Sequence, residues 1–156
     1  MPLAPADWSG LSLAVGVSLA ESLHPDVRLK WPNDLWWQQR KLAGILVETA
    51  GSGEGAAAAR TVVIGVGINI ARPADAAVTG SPAAMAPAGL AELHMGITAG
   101  EALARVAPAL VRDVLLFERQ GFAAFAGRFA QRDALRGMPL RLSAVSYTHL
   151  TLPTSD

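Results

Sequence analysis

Lys30 to Glu48 reads K-W-P-N-D-L-W-W-Q-Q-R-K-L-A-G-I-L-V-E. Pro32 fixes its own φ and pushes Trp31 into extended geometry, so a strand that carries Lys30 ends at Trp31. Asn33 and Asp34 bond readily to their own backbone and predict a turn. The chain returns through Leu35, Trp36 and Trp37, turns again at Gln38-Gln39-Arg40, and enters an apolar strand from Lys41 to Glu48. Two cations, Lys30 and Lys41, and the Asp34 carboxylate thus converge on one β-meander. Strand alternation sets a condition. In an unbroken strand Lys41 and Gly44 face opposite ways, so Lys41 sits in the turn before regular pairing starts, or a bulge intervenes. A plain hairpin with solvated lysines at its ends fits the residue types equally well.

A second strand, Thr61 to Ile70, carries the other signal. Val62, Ile64, Val66, Ile68 and Ile70 alternate onto one apolar face, which should pack on helices. The opposite face holds Thr61, Val63, Gly65, Gly67 and Asn69, two bare positions followed by an amide. Glycine weakens a strand interior, so two on one face point to a ligand or another backbone lying close against it. Gly65-Val66-Gly67 does not open a dinucleotide fingerprint, because no third glycine and no helical pattern follow at once. The Gly51 to Ala59 run lacks the Lys-Ser/Thr ending of a phosphate loop and reads as a linker between strands.

K-W-P-N-D followed by R-K-L-A-G-I-L-V-E closely resembles the central motif of biotin protein ligases, and G-V-G-I-N-I, Gly65 to Ile70, resembles the family's second motif. The similarity runs from about Leu3 to Ser143. It implies an α+β fold, a mixed and largely antiparallel sheet with helices on one face, similar to class II aminoacyl-tRNA synthetases and biotin ligases. It also implies an ATP-dependent reaction: biotin is activated to biotinyl-5′-AMP and passed to a lysine of a biotin carboxyl carrier protein, such as that of acetyl-CoA carboxylase. ATP, biotin and Mg²⁺ are the small molecules involved. A lipoate-type ligase shares the fold, and a non-catalytic remnant serving in binding or dimerisation is the other alternative.

Attack of a carboxylate on the ATP α-phosphate brings two anions together, so cations must offset their repulsion and the charge growing in the transition state. By resemblance, Lys41 and Lys30 are the catalytic residues: Lys41 meets the biotin carboxylate and α-phosphate, and Lys30 meets the phosphates. Gly44, Gly65 and Gly67 line the biotin pocket, and Leu46, on the same face as Gly44, walls its apolar part. Asn33 and Asn69 meet the nucleotide. Asp34 holds Mg²⁺ or orients Lys30. The family's Gly- and Arg-rich loop, which folds over biotin and the phosphates, has no counterpart in this sequence. The chain is therefore expected to represent the later part of a catalytic domain and to lack activity alone.

At 156 residues the chain suits one domain with a real core. Its 13 basic and 13 acidic residues cancel, which leaves no electrostatic footprint for nucleic acid. It has no cysteine, which rules out thiolate metal sites and fits a reducing cytoplasm. His24, His94 and His149 are scattered without metal-ligand spacing, and no apolar run is long enough to span a bilayer. Homodimerisation stays open.

Ser9 is expected to cap a helix over Leu11 to Leu23 whose stripe is Leu11, Leu13, Ala14, Val17, Ala20 and Leu23, with His24-Pro25 ending it. Arg72 to Pro87 reads as a surface loop. Thr98, boxed by Glu101, starts a helix to about Gln120 with Leu103, Val106, Leu110, Val114 and Phe117 inward and a kink at Pro108. A shorter helix over Phe122 to Arg132 puts Phe122, Phe125 and Phe129 in the core. Residues 1–137 are expected to belong to the catalytic domain and residues 138–145 to begin a small β-barrel, with a strand from Pro139. Residues 146–156 resemble translated adapter sequence.

Overall fold

The computed structural model describes residues 2, 3, 5, 7–50, 60–72 and 87–138. The linker at 51–59, most of the 72–87 loop, the strand expected from Pro139 and the tail at 146–156 lie outside the described residues.

In chain order the elements are β1 (Pro2–Leu3), α1 (Leu11–Leu23), β2 (Arg28–Lys30), β3 (Asp34–Trp37), β4 (Arg40–Ala50), β5 (Arg60–Ile68), α2 (Ala99–Gln120) and α3 (Ala126–Arg132), with short 3₁₀ turns at Leu90–Glu92 and Phe122–Ala124. The strands form one antiparallel sheet in the order β1-β5-β4-β3-β2. The only parallel contact among the described residues is the isolated bridge Leu29–Asp133. The α+β class read from the sequence holds.

The meander forms as expected, with small shifts. Asp34 belongs to β3 rather than to the turn, and pairs with Lys30. Gln38 and Gln39 alone make the second turn, both at positive φ (47° and 61°), and Arg40 already lies in β4. Positive φ at both central residues is the geometry whose twist matches a tight hairpin.

Helix α1 has the expected bounds but a different start and packing. The cap position is Gly10, at φ 84°, and no side chain caps it; Ser9 instead donates its N–H to Asp7 Oδ1 at 2.8 Å. The Phe122 ring lies where a side chain on Gly10 would go, so Phe122 and the left-handed turn together keep the cap position a glycine. Every residue from Ala14 to Ala20 is buried, so the predicted stripe is a helix buried all round. The helix lies between the sheet and α2 with α3, and Gly16 lets it approach β2, since a Cβ there would overlap Leu29 Cδ2.

The core gathers on this side of the sheet. Leu29, Leu35, Leu42, Ala43 and Ile45 face α1 and are buried, and Phe117 and Phe125 close it from the helices. In α2 the Thr98–Glu101 box forms: Thr98 Oγ1 accepts from Glu101 N, and Glu101 Oε2 accepts from Thr98 N at 2.8 Å. The buried positions are Ala102, Val106, Asp113, Val114 and Phe117; Leu103 is 64% exposed, contrary to its predicted inward place. It borders an open groove shared with Val66, Ile68 and Ile70 of the β5 side. The apolar face of β5 is thus half-covered. Phe122, Phe125 and Phe129 join the core as expected, though from a 3₁₀ turn and a short helix instead of one helix.

Candidate active site

The outer face of the sheet, away from α1, collects most of the residues singled out from the sequence. Register explains it. Leu35 pairs with Ala43, but Trp36 pairs with Lys41, so Leu42 is an extra residue in β4. Leu42 and Ala43 both turn inward and are buried, which returns Lys41 and Gly44 to the same outer face. Of the two arrangements the sequence left open, the bulge is the one formed.

Asp34, Gly44 and Gly67 then lie in one row across β3, β4 and β5 through the pairs Asp34–Gly44 and Gly44–Gly67. The next pair along is Leu46–Gly65. A Cβ placed on Gly67 would meet nothing within 4 Å, and one on Gly65 would meet only Leu46. Neither glycine is required by packing among the described residues. Leu46 is 59% exposed and stands beside this bare floor.

The Lys41 side chain folds back over Gly44. Its Nζ lies 2.7 Å from Asp34 Oδ1, and its Cε and Nζ are each 3.5 Å from where a Gly44 Cβ would be. With Lys41 about half exposed, this ion pair contributes at most about 1 kcal/mol to stability. Its effect is orientation: it presents an ammonium at the edge of an open, apolar floor, where an anionic head group with an apolar tail can compete for the cation.

Lys30 is on the same face, opposite Asp34 in register, but its Nζ sits 4.2 Å from the centroid of the Trp36 ring. Asp34 therefore pairs with Lys41 and not with Lys30, which corrects the orienting role expected for it. The two asparagines are engaged with backbone. Asn33 donates its side-chain amide to Ile45 O at 3.0 Å, and its backbone carbonyl accepts from Ile45 N at 2.9 Å. Asn69 donates its amide to Ala88 O at 3.1 Å. No group of three or more histidine, cysteine, aspartate or glutamate side chains able to hold a metal occurs among the described residues.

Sequence reasoning missed the segment that closes the Lys41 end of the sheet. Ala88 and Leu90 are fully buried, and Glu92 holds Arg40 through two contacts, of 3.2 and 2.8 Å. The Arg40 guanidinium, with the Gly89 N–H, keeps the Glu92 carboxyl below the usual carboxylate range. The available signal was Gly89: a side chain there would run into the backbone of Ala71 and Arg72.

Residues 5–69 match the model of the Biotin/lipoate A/B protein ligase family. The chain is 38% identical over 144 residues to the bifunctional ligase/repressor BirA of Escherichia coli, covering 88% of this chain and 42% of that protein. It is 35% identical over 132 residues to the biotin--[acetyl-CoA-carboxylase] ligase of Paracoccus denitrificans, covering 83% and 53%. The chain thus spans about half the length of these relatives. Among solved structures, it superposes on the Aquifex aeolicus biotin protein ligase in complex with biotin and ATP with a TM-score of 0.62 at 23% identity, over 82% of this chain and 52% of that one. The fold is therefore the same. Over residues 5–69 the chain matches the Biotin/lipoate A/B protein ligase family, and over the part it shares with these proteins it is similar to biotin protein ligases.

Proposed function

We propose that this chain forms the Lys41 side of the active site of an ATP-dependent biotin protein ligase, which makes biotinyl-5′-AMP and transfers biotin to a lysine of a biotin carboxyl carrier protein. The observation that carries this reading is the placement of the Lys41 ammonium over Gly44, beside the open Gly65–Gly67 floor. A ureido-thiophane ring and valerate chain need a flat apolar bed with a cation at the carboxylate end. Leu46 and the glycines supply the bed and Lys41 the cation. The relatives' names, and the biotin and ATP bound in the similar structure, support the same substrates here.

In this reading Lys41 offsets the charge of the biotin carboxylate and the α-phosphate as they approach, and Asp34 holds Lys41 in place until the anions arrive. Lys30 reaches the phosphates by leaving Trp36. Asn33 and Asn69 face the nucleotide from the strand ends. Mg²⁺ prefers one or two carboxylates together with substrate phosphates, and Asp34 is a carboxylate set on this face beside Lys41. The protein works in the cytoplasm, where its carrier is made, and homodimerisation belongs to the same proposal.

A lipoate-type ligase would use the same face, so the test compares the two acids directly. Calorimetry should show binding of biotin and markedly weaker binding of lipoate. Tighter binding of lipoate would replace the substrate, and binding of neither would leave the face as a protein contact.

A further inference from the structure

A bulge leaves backbone groups outside the regular ladder, and buried backbone groups must find partners. Here the β4–β5 ladder stops at Ala43–Ile68, just short of the extra residue Leu42. Beyond that point Asn69 takes over. Its N–H donates to Leu42 O at 3.0 Å, and its side-chain amide reaches Lys41 O at 3.4 Å and Ala88 O at 3.1 Å. Ala88 N–H donates to Lys41 O at 2.8 Å.

The segment that supplies Ala88 is itself fixed on both sides. Leu90 N–H donates to Asn69 O at 2.7 Å and Ala91 N–H to Ile70 O at 2.9 Å, while Glu92 clamps Arg40, the residue just before Lys41. Asn69 is the shared joint of these contacts. It touches both carbonyls of the bulge and the segment that braces it.

We infer that Asn69 is a positioning residue for Lys41: by tying the Lys41 and Leu42 carbonyls to Ala88, it fixes the bulge that turns the ammonium onto the glycine floor. Its value for catalysis rests on the ligase function proposed above, but the positioning itself does not. It is separate from the nucleotide contact proposed for Asn69 above, because the positioning acts on biotin affinity through Lys41.

The test has one arm without ligand and one with it. In the free protein, nuclear Overhauser contacts between the Lys41 ε-protons and the Gly44 α-protons report the ammonium over the floor. Asn69→Ala should remove them while the Gly65 and Gly67 amide signals stay folded; a folded variant that keeps them overturns the inference. If Asn69→Ala fails to fold, Asn69→Asp preserves the size and the backbone bonds but loses both side-chain donations, and the same loss is expected. Failure of both variants to fold would assign Asn69 to the fold as a whole and overturn the inference.

The second arm is a double-mutant cycle on biotin affinity. Asn69→Ala should weaken binding about tenfold in the wild type and less than about twofold in the Lys41→Ala background. Equal losses in both backgrounds mean that Asn69 acts without Lys41, and overturn it. If the parent protein binds no biotin yet Asn69→Ala still removes the Lys41–Gly44 contact, the ligase reading fails and the positioning stands.

Discussion

Gly67 has open space where a side chain would begin, and it lies within a strand, one residue before its end, where a β-branched residue is ordinarily preferred. Nothing in the packing among the described residues asks for glycine there. Gly67→Val should therefore leave the melting temperature unchanged or slightly raised and abolish biotin binding by filling the floor; unchanged calorimetric affinity would assign this face to another role. The glycine floor was legible because alternation alone places Gly65, Gly67 and Asn69 on one side. The facing of Lys41 was legible as a condition, since the spacing to Gly44 required either a place in the turn or a bulge, and the fold formed the bulge. The asparagine contacts were not. A carboxamide near a strand end can serve a ligand or a carbonyl, and only the tertiary placement of Ile45 and Ala88 decides which is within reach. Asp34 likewise had two lysines available in sequence, and the bulge brought Lys41 to it while Trp36 held Lys30.

Among the elements, the three helices are joined by a network the sequence did not disclose. Arg128 of α3 pairs with Glu21 of α1 and with Asp113 of α2, each at 2.7 Å, and Asp113 is almost fully buried. Burial alone would raise the Asp113 carboxyl, but the Arg128 and Arg112 guanidinium groups outweigh it, so the group titrates below the ordinary aspartate value. A carboxyl with a lowered folded pKa stabilises the fold above its unfolded pKa, near 4, and loses that contribution as pH falls through the folded value. Asp113→Asn should thus lower the melting temperature at neutral pH, and the gap to the wild type should narrow below about pH 4. A gap that stays constant with pH would show that Asp113 contributes by shape rather than by charge. The bounds of α1 and α2 were readable from periodicity and from the Thr98–Glu101 box, while the start of α3 was not. What periodicity could not supply was how many neighbours a helix has. α1 has partners on both sides and so is buried all round, while α2 has a shallow groove where Leu103 lies and leaves that residue exposed.

For the whole molecule, the sheet divides the chain into a packed side and an open one. The packed side holds α1 and the core; the open side holds Lys41, Asp34 and the glycines. Among the described residues, β5 is paired along its outer edge only where β1 meets Arg60 and Thr61. Charges on such an open face are screened by water, and their effect on a reaction grows as the site is covered and dried. The central claim is that Lys41, set on this face by the bulge, supplies charge stabilisation to the attack of biotin on ATP. Biotin-dependent release of pyrophosphate from ATP, measured for the catalytic domain completed with the family's Gly- and Arg-rich loop, as wild type and as Lys41→Ala with both shown to be folded by circular dichroism, tests it most directly. The account predicts biotin-stimulated release by the wild type and a rate lower by about 10²–10³ in the variant, the scale of a lost transition-state charge partner. A folded Lys41→Ala protein that releases pyrophosphate near the wild-type rate would contradict it.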